Sequence, residues 1–147
     1  MATKFTSTLL LCLLFSLSYS QGYIDHIKNQ KYLKYKVDCN NLDGDNLSSR
    51  ICANLAFQKS DSILVVVYNS ILQKARSSQN DSLRNKVIQL QVSWRRFRDQ
   101  HCQIIYDTYE GCASCHVQAT SYLQCLKELT DNRITELKSL EKQVVGY

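Results

Sequence analysis

The sequence predicts an all-α fold: a small disulfide-linked helical bundle built on a long antiparallel helical hairpin. Three observations carry this expectation. The 147 residues include no proline and only four glycines, too few turn formers for a sandwich of many short strands. Apolar residues recur at three- and four-residue steps over most of the second two-thirds of the chain, the period of an amphipathic helix. Seven cysteines are present, six of them beyond the first twenty residues, and an even set in an exported chain reads as a disulfide framework. The length suits one domain and not two.

The export reading rests on residues 1–20. Lys4 supplies a short positive start, Leu9 to Phe15 and then Leu17 an apolar run, and Ser18 and Ser20 flank Tyr19 as the small residues of a cleavage site after Ser20. The run is too short to span a bilayer. Cys12 follows Leu11, not the small residue that a lipidated cysteine requires. Removing the leader lowers the formal charge from +5 to +4, because Lys4 leaves without an acid. That balance falls short of a nucleic-acid footprint.

Residues 21–38 form a basic and aromatic arm, with Lys28, Lys31, Lys34 and Lys36 among Tyr32, Leu33 and Tyr35. It reads either as a contact for an anionic surface or as a short helix or extended arm with solvated lysines. The domain proper is assigned to residues 39–147. Cys39 to Ser49 is a polar loop containing Asp43, Gly44, Asp45 and Asn46, and Asn46 or Ser48 is expected to cap the next element. A long helix follows from about Ser49 to Ser77, with Leu64, Tyr68, Ile71, Leu72 and Ala75 on one stripe. The strand-like run Ile63 to Val67 is absorbed into it, since no turn residues interrupt the helical spacing. The break at Ser77 to Asp81 offers Asn80 or Asp81 as an N-cap. The second helix, about Ser82 to Tyr109, carries Leu83, Val87, Leu90, Trp94, Phe97, Ile105 and Tyr109 as its expected inward stripe. The third, about Ser114 to Val144, carries Ala119, Leu123, Leu126, Leu129, Leu137, Leu140 and Val144.

Helices joined by a tight loop near Gly111 run antiparallel, and each rises about 1.5 Å per residue. Residues equally distant from a turn centred between Ala113 and Ser114 therefore share a level. Their numbers add to 227, as do those of Cys102 and Cys125 and those of Cys112 and Cys115. Cys39 and Cys52 remain, to tie the entry loop to the first long helix. The expected bonds are thus Cys39–Cys52 and Cys102–Cys125. The same ladder sets Trp94 level with Arg133, whose guanidinium either covers the indole or reaches out to solvent.

Three blocks resemble a family. Asp61, Leu64 and Tyr68 match an Asp-x-x-Leu-Asn-x-x-Tyr pattern, with Val65 in place of the asparagine. Gln91 and Trp94, then Arg98, Asp99 and Cys102, match Gln-x-x-Trp and Arg-Asp-x-x-Cys. Cys125, Leu126, Leu129, Thr130, Arg133 and Leu137 match Cys-Leu-x-x-Leu-Thr-x-x-Arg-x-x-x-Leu. This resembles the N-terminal domain of the LprI-type lysozyme inhibitors, over about Cys39 to Leu140. The resemblance implies a helical, disulfide-linked exported domain without catalysis and, as partner, a protein, lysozyme. Under it Asp61, Tyr68, Gln91, Trp94, Arg98, Asp99 and Arg133 define the fold and are not a binding surface. The lost asparagine would remove a polar group from a buried network around Asp61 and Arg98. The family's glycine-rich loop is here Glu110 to Cys115, with an added cysteine pair. Many lysozymes are cationic, so opposite charge would have to come locally, from Asp43 with Asp45 or Asp107 with Glu110. The plain alternative for those carboxylates is solvated loop and cap residues.

Cys112-Ala113-Ser114-Cys115-His116 also matches the Cys-x-x-Cys-His attachment motif of haem c. In that alternative the chain is an electron-transfer protein with His116 on the iron and His26 or His101 as a candidate sixth ligand. Otherwise Cys112 and Cys115 form a disulfide or a free pair at the hairpin tip. Zinc at Cys112, Cys115 and His116 would need His101 as well. No cofactor is expected in the leading reading. A phosphate-cradling glycine loop and a Gly-x-Ser-x-Gly nucleophile are both missing from the sequence. Asn46-Leu47-Ser48 and Asn80-Asp81-Ser82 are N-glycosylation sequons, meaningful in a eukaryotic host. The leading expectation is a secreted or periplasmic, non-catalytic binding protein. The alternatives are the haem carrier and a secreted host-directed factor whose lysine arm meets an anionic surface. The sequence leaves the oligomeric state open.

Overall fold

The computed structural model describes residues 25–32, 35–42, 44–109 and 116–145, with side chains as far as Gln143. The chain divides into two compact units, residues 1–35 and 36–147. In the first, α1 is described over residues 25–29. Lys28 pairs with Asp25 at 3.0 Å, and the Tyr32 and Tyr35 rings meet edge-on at 6.1 Å.

The second unit holds three long helices: α2 (Asn46–Ser77), α3 (Asp81–Asp107) and α4 (His116–Val145). Among the described residues there is no strand. Asp45 is the N-cap of α2. Its carboxylate accepts from the Leu47 and Ser48 amides at 3.1 and 2.9 Å and from the Ser48 hydroxyl at 2.8 Å, so the capping role expected of Asn46 or Ser48 falls one residue or more earlier. A carboxylate accepts two orphan amides at once and sits favourably at the positive end of the helix dipole. The Ser48 hydroxyl above all, then the two amides, holds the Asp45 carboxyl below the usual carboxylate range.

Three residues, Ser78 to Asn80, end α2 and start α3. The Asn80 amide bonds Ala75 O and the Gln79 amide bonds Arg76 O, each at 3.0 Å, with Gln79 at φ 53°. This is a Schellman closure with glutamine in the left-handed position that glycine usually takes. Asn80 then caps α3 by accepting from the Leu83 amide at 2.9 Å.

The long-range bonds fix the helix directions. Asp61 on α2 meets Arg98 on α3, mirror-placed about the Ser78–Asn80 turn, so these two run antiparallel. Between α2 and α4 the offset is nearly constant, 66 for Arg50 and His116, 71 for Ser70 and Glu141, 67 for Lys74 and Glu141. A constant difference means parallel helices, and α4 packs more extensively on α2 than on α3. The α3–α4 pair follows the mirror rule: Cys102 bonds Cys125, and Arg133 lies 5.7 Å over the Trp94 ring, which settles its two alternatives in favour of the indole.

The core has two parts. Leu64, Val67, Ile71, Val87, Ile134 and Leu137 form a cluster with Tyr68, Leu72, Leu83, Trp94 and Leu140 packed against it. Toward the other end lie Ile51, Phe57, Cys102, Ala119, Tyr122, Leu123 and Leu126, all buried. There the Tyr106 and Tyr122 rings meet nearly perpendicular, with centroids 5.8 Å apart. The run Ile63 to Val67 is helical. The expected inward stripe of α3 fails at two positions. Leu90 and Phe97 are more than half exposed, at 54% and 53%, and α3 instead buries Val87, Gln91, Arg98, Cys102 and Tyr106. The side chain of Val144 lies outside the described residues.

Candidate functional site

Two places gather polar groups or open surface: the buried polar centre and the groove between α2 and α4. The centre is organised by Arg98, whose side chain is only 7% exposed. A guanidinium never gives up its proton in a protein, so burying it requires partners on every side. Nη1 donates to Asp61 Oδ1 at 2.9 Å and to Thr130 Oγ1 at 3.1 Å, and Nε donates to Asp99 Oδ1 at 3.0 Å. Thr130 is fixed in turn by donating to Leu126 O at 2.6 Å. The face of the guanidinium covers Trp94 at 5.1 Å and Phe57 at 5.4 Å. Arg133 completes the layer. Its Nε donates to Gln91 Oε1 at 3.3 Å and its Nη1 to Glu136 at 2.9 Å.

Asp61, Gln91, Trp94, Arg98, Asp99, Thr130 and Arg133, from three helices, thus converge on one polar layer between the two parts of the core. Tyr68 packs beside the apolar cluster. Nε and Nη1 of Arg98 are spent on Asp99, Asp61 and Thr130, so this layer serves to align the three helices. Val65 is 38% exposed and takes no part. Its substitution for asparagine does not open a hole in the network, contrary to the sequence expectation.

Among the described residues two disulfides lie on the entry-loop side of the layer. Cys102–Cys125 is buried with Cα atoms 5.7 Å apart. Cys39–Cys52 joins the entry loop to α2, with Cα atoms 5.6 Å apart, and Cys39 is exposed. Both are the pairings expected from the sequence.

The family model described as Lysozyme inhibitor LprI matches residues 39–137, which span the entry disulfide, the polar layer and both turns. The chain belongs to the LprI family. No curated protein and no solved structure matches it.

Within the LprI match lies an open groove of about 550 Å³. One wall is the entry loop and α2, with Cys39, Leu42, Cys52 and Ala53. The other is α4, with Val117, Thr120 and Gln124. Leu42 and Val117 are 41% and 45% exposed. At its lower end Lys127 bonds Asp131 at 2.6 Å. Burial alone would raise the Asp131 carboxyl, but the hydrogen bonds from Lys127 and Ser60 outweigh it and hold it below the usual range. Sequence reasoning missed this groove, because its walls lie more than sixty residues apart along the chain.

Asp45 is committed to capping α2, and Asp107 accepts from Gln103 at 2.7 Å, which is the solvated-cap alternative. Asp43, Glu110, Cys112 and Cys115 lie outside the described residues. His116 opens α4, with Nδ1 3.5 Å from Arg50 Nη1. His101 is exposed on α3, its ring 5.5 Å from that of Phe97. Among the described residues no three metal-binding side chains gather, and no helix is long and apolar enough to cross a membrane. Of the arm's lysines, Lys28 is held by Asp25, Lys31 and Lys36 are exposed, and Lys34 is outside the described residues.

Proposed function

We propose that this chain is an exported, non-catalytic binding protein that inhibits lysozyme, and that it meets the enzyme through the groove between the entry loop, α2 and α4. The observation that carries the reading is the LprI match over residues 39–137. Geometry supports the groove as the contact. The polar layer is consumed in holding three helices together, so recognition has to use surface. The groove supplies a concave patch with exposed apolar Leu42 and Val117 and neutral hydrogen-bonding groups on Thr120 and Gln124. A few apolar anchors within a polar rim is the composition of a protein-binding patch. Two internal disulfides suit an oxidising compartment outside the cytosol.

The test is the rate at which lysozyme clears a bacterial cell-wall suspension, measured against increasing protein. Clearing slows and saturates at equimolar protein if the reading holds. Unchanged clearing at large excess overturns it. Leu42→Asp with Val117→Asp places charge in the groove away from the core, and is expected to weaken inhibition by about tenfold or more while the fold is retained. Full inhibition by that variant would move the contact off the groove.

A further inference from the structure

The solvent side of α3 carries an apolar stripe where a solvated helix should be polar. Leu90, Phe97 and Ile104 are 54%, 53% and 66% exposed, and they recur every seven residues. His101, also exposed, stands between Phe97 and Ile104 at steps of 4 and 3, while Trp94 is turned inward under Arg98 and Arg133. A seven-residue apolar repeat is the spacing of helices that pack on another helix, and α2 and α4 pack on a different side of α3, through Gln91, Arg98 and Cys102. The stripe covers about 21 Å from Leu90 to Ile104 at 1.5 Å per residue.

Its ends carry opposite charge. Lys86 lies one turn before Leu90 and Asp107 one turn after Ile104, both exposed. Between them the exposed residues bordering the stripe on one side are uncharged: Ser93 and Gln100. A stripe with a cation at one end and an anion at the other is complementary to itself when reversed. Two copies related by a twofold axis at Phe97 would set Leu90 on the second copy's Ile104, Phe97 on its own counterpart, and Lys86 within one residue of the second copy's Asp107. An isologous contact of this kind closes on itself and leaves no free end.

We propose that the protein self-associates through this face, as an antiparallel α3–α3 dimer centred on Phe97. One helix per copy is a small interface, at the low end of specific contacts, so the dimer is in dynamic exchange with monomer, with a dissociation constant on the order of 10–100 µM. The proposal does not depend on lysozyme binding, since the groove between α2 and α4 belongs to other elements.

Sedimentation equilibrium of the full chain over a concentration series tests it. The expected result is a reversible monomer–dimer fit. Phe97→Glu sets two carboxylates against each other on the axis and is expected to weaken the dimer at least tenfold, with an unchanged helical circular dichroism spectrum. Lys86→Glu weakens it, and adding Asp107→Lys restores it. Phe97→Cys oxidises to a disulfide-linked dimer by itself, whereas Ile104→Cys links only when Leu90→Cys is also present. A chain that stays monomeric up to about 500 µM, well above the expected constant, overturns the proposal. So does a dimer that Phe97→Glu leaves intact. A monomeric wild type whose lysozyme inhibition is lost in Phe97→Glu would also overturn it, assigning the face to the enzyme instead.

Discussion

The two faces of α3 invert the usual arrangement. Beside Val87, the inner face buries an arginine, a glutamine, a disulfide and a tyrosine: Arg98, Gln91, Cys102 and Tyr106. The outer face exposes Leu90, Phe97 and Ile104. The difference shows that the buried side of this helix is chosen by satisfaction of specific partners, not by hydrophobicity alone. Arg98 has two carboxylates, a hydroxyl and two aromatic rings waiting for it on α2, α3 and α4. Among the described residues Leu90 and Phe97 stay more than half exposed, Phe97 meeting only the His101 ring of its own helix. Rotating α3 to bury them would strand a guanidinium's partners and break the Cys102–Cys125 bond, costs that exceed the roughly 1.5–3 kcal/mol gained per apolar side chain.

The inner face should therefore be sensitive and the outer face tolerant. The largest effect is expected from Cys102→Ala with Cys125→Ala, which frees a 23-residue separation and should cost about 3–4 kcal/mol in urea unfolding. A loss below about 1 kcal/mol would mean the α3–α4 register is held by packing alone. Arg98→Ala follows at about 2–3 kcal/mol. The figure is lower than for a fully buried pair, because Asp61 and Asp99 are 37% and 33% exposed and water can solvate them when the arginine is gone. Gln79→Gly should work the other way and stabilise by about 0.5–1 kcal/mol, by removing a left-handed non-glycine residue from the Schellman closure. Phe97→Ser on the outer face should change stability by less than about 0.5 kcal/mol when measured on dilute monomer.

Acid provides a gentler probe. Burial works against the ionised Asp131, but the Lys127 and Ser60 hydrogen bonds override it. Glu141 is lowered first by the hydrogen bond from Lys74 and then by that from Ser70. Both carboxyls sit below their ordinary values in the folded chain, so the unfolded chain binds more protons between the two values. Their contribution is complete above about pH 5 and is lost as pH falls below about 4, through the folded values. The thermal midpoint should hold level from neutral pH to about 5 and then drop, and the drop should be shallower in Asp131→Asn. A midpoint that rises on acidification would contradict the assigned direction.

Much of this was legible in the residues. Turn chemistry at Ser77 to Asp81 and the lack of proline marked out the helices, and equal spacing from one turn paired Cys102 with Cys125 and Trp94 with Arg133. These are local or mirror relations, which a linear sequence carries directly. Apolar spacing misassigned Leu90 and Phe97, because it counts carbon and cannot weigh the partners a buried Arg98 or Gln91 will find. The parallel α2–α4 packing was invisible for a different reason. Those helices are not neighbours in sequence, so no turn fixes their register, and the groove they form with Leu42 and Val117 had no signature. Asp45, Asn46 and Ser48 are all capping residue types, so the sequence does not choose among them and only the backbone angle decides.

Hydroxyl-radical footprinting of dilute, monomeric protein, read residue by residue by mass spectrometry, tests most directly whether α3 turns its apolar stripe outward. Leu90, Phe97 and Ile104 should oxidise rapidly, while Tyr106, Tyr122, Leu123 and Leu126 stay protected. Protection of Leu90 and Phe97 equal to that of Leu126, with rapid oxidation of Tyr106, would mean that α3 faces the other way and that Arg98 does not organise the interior.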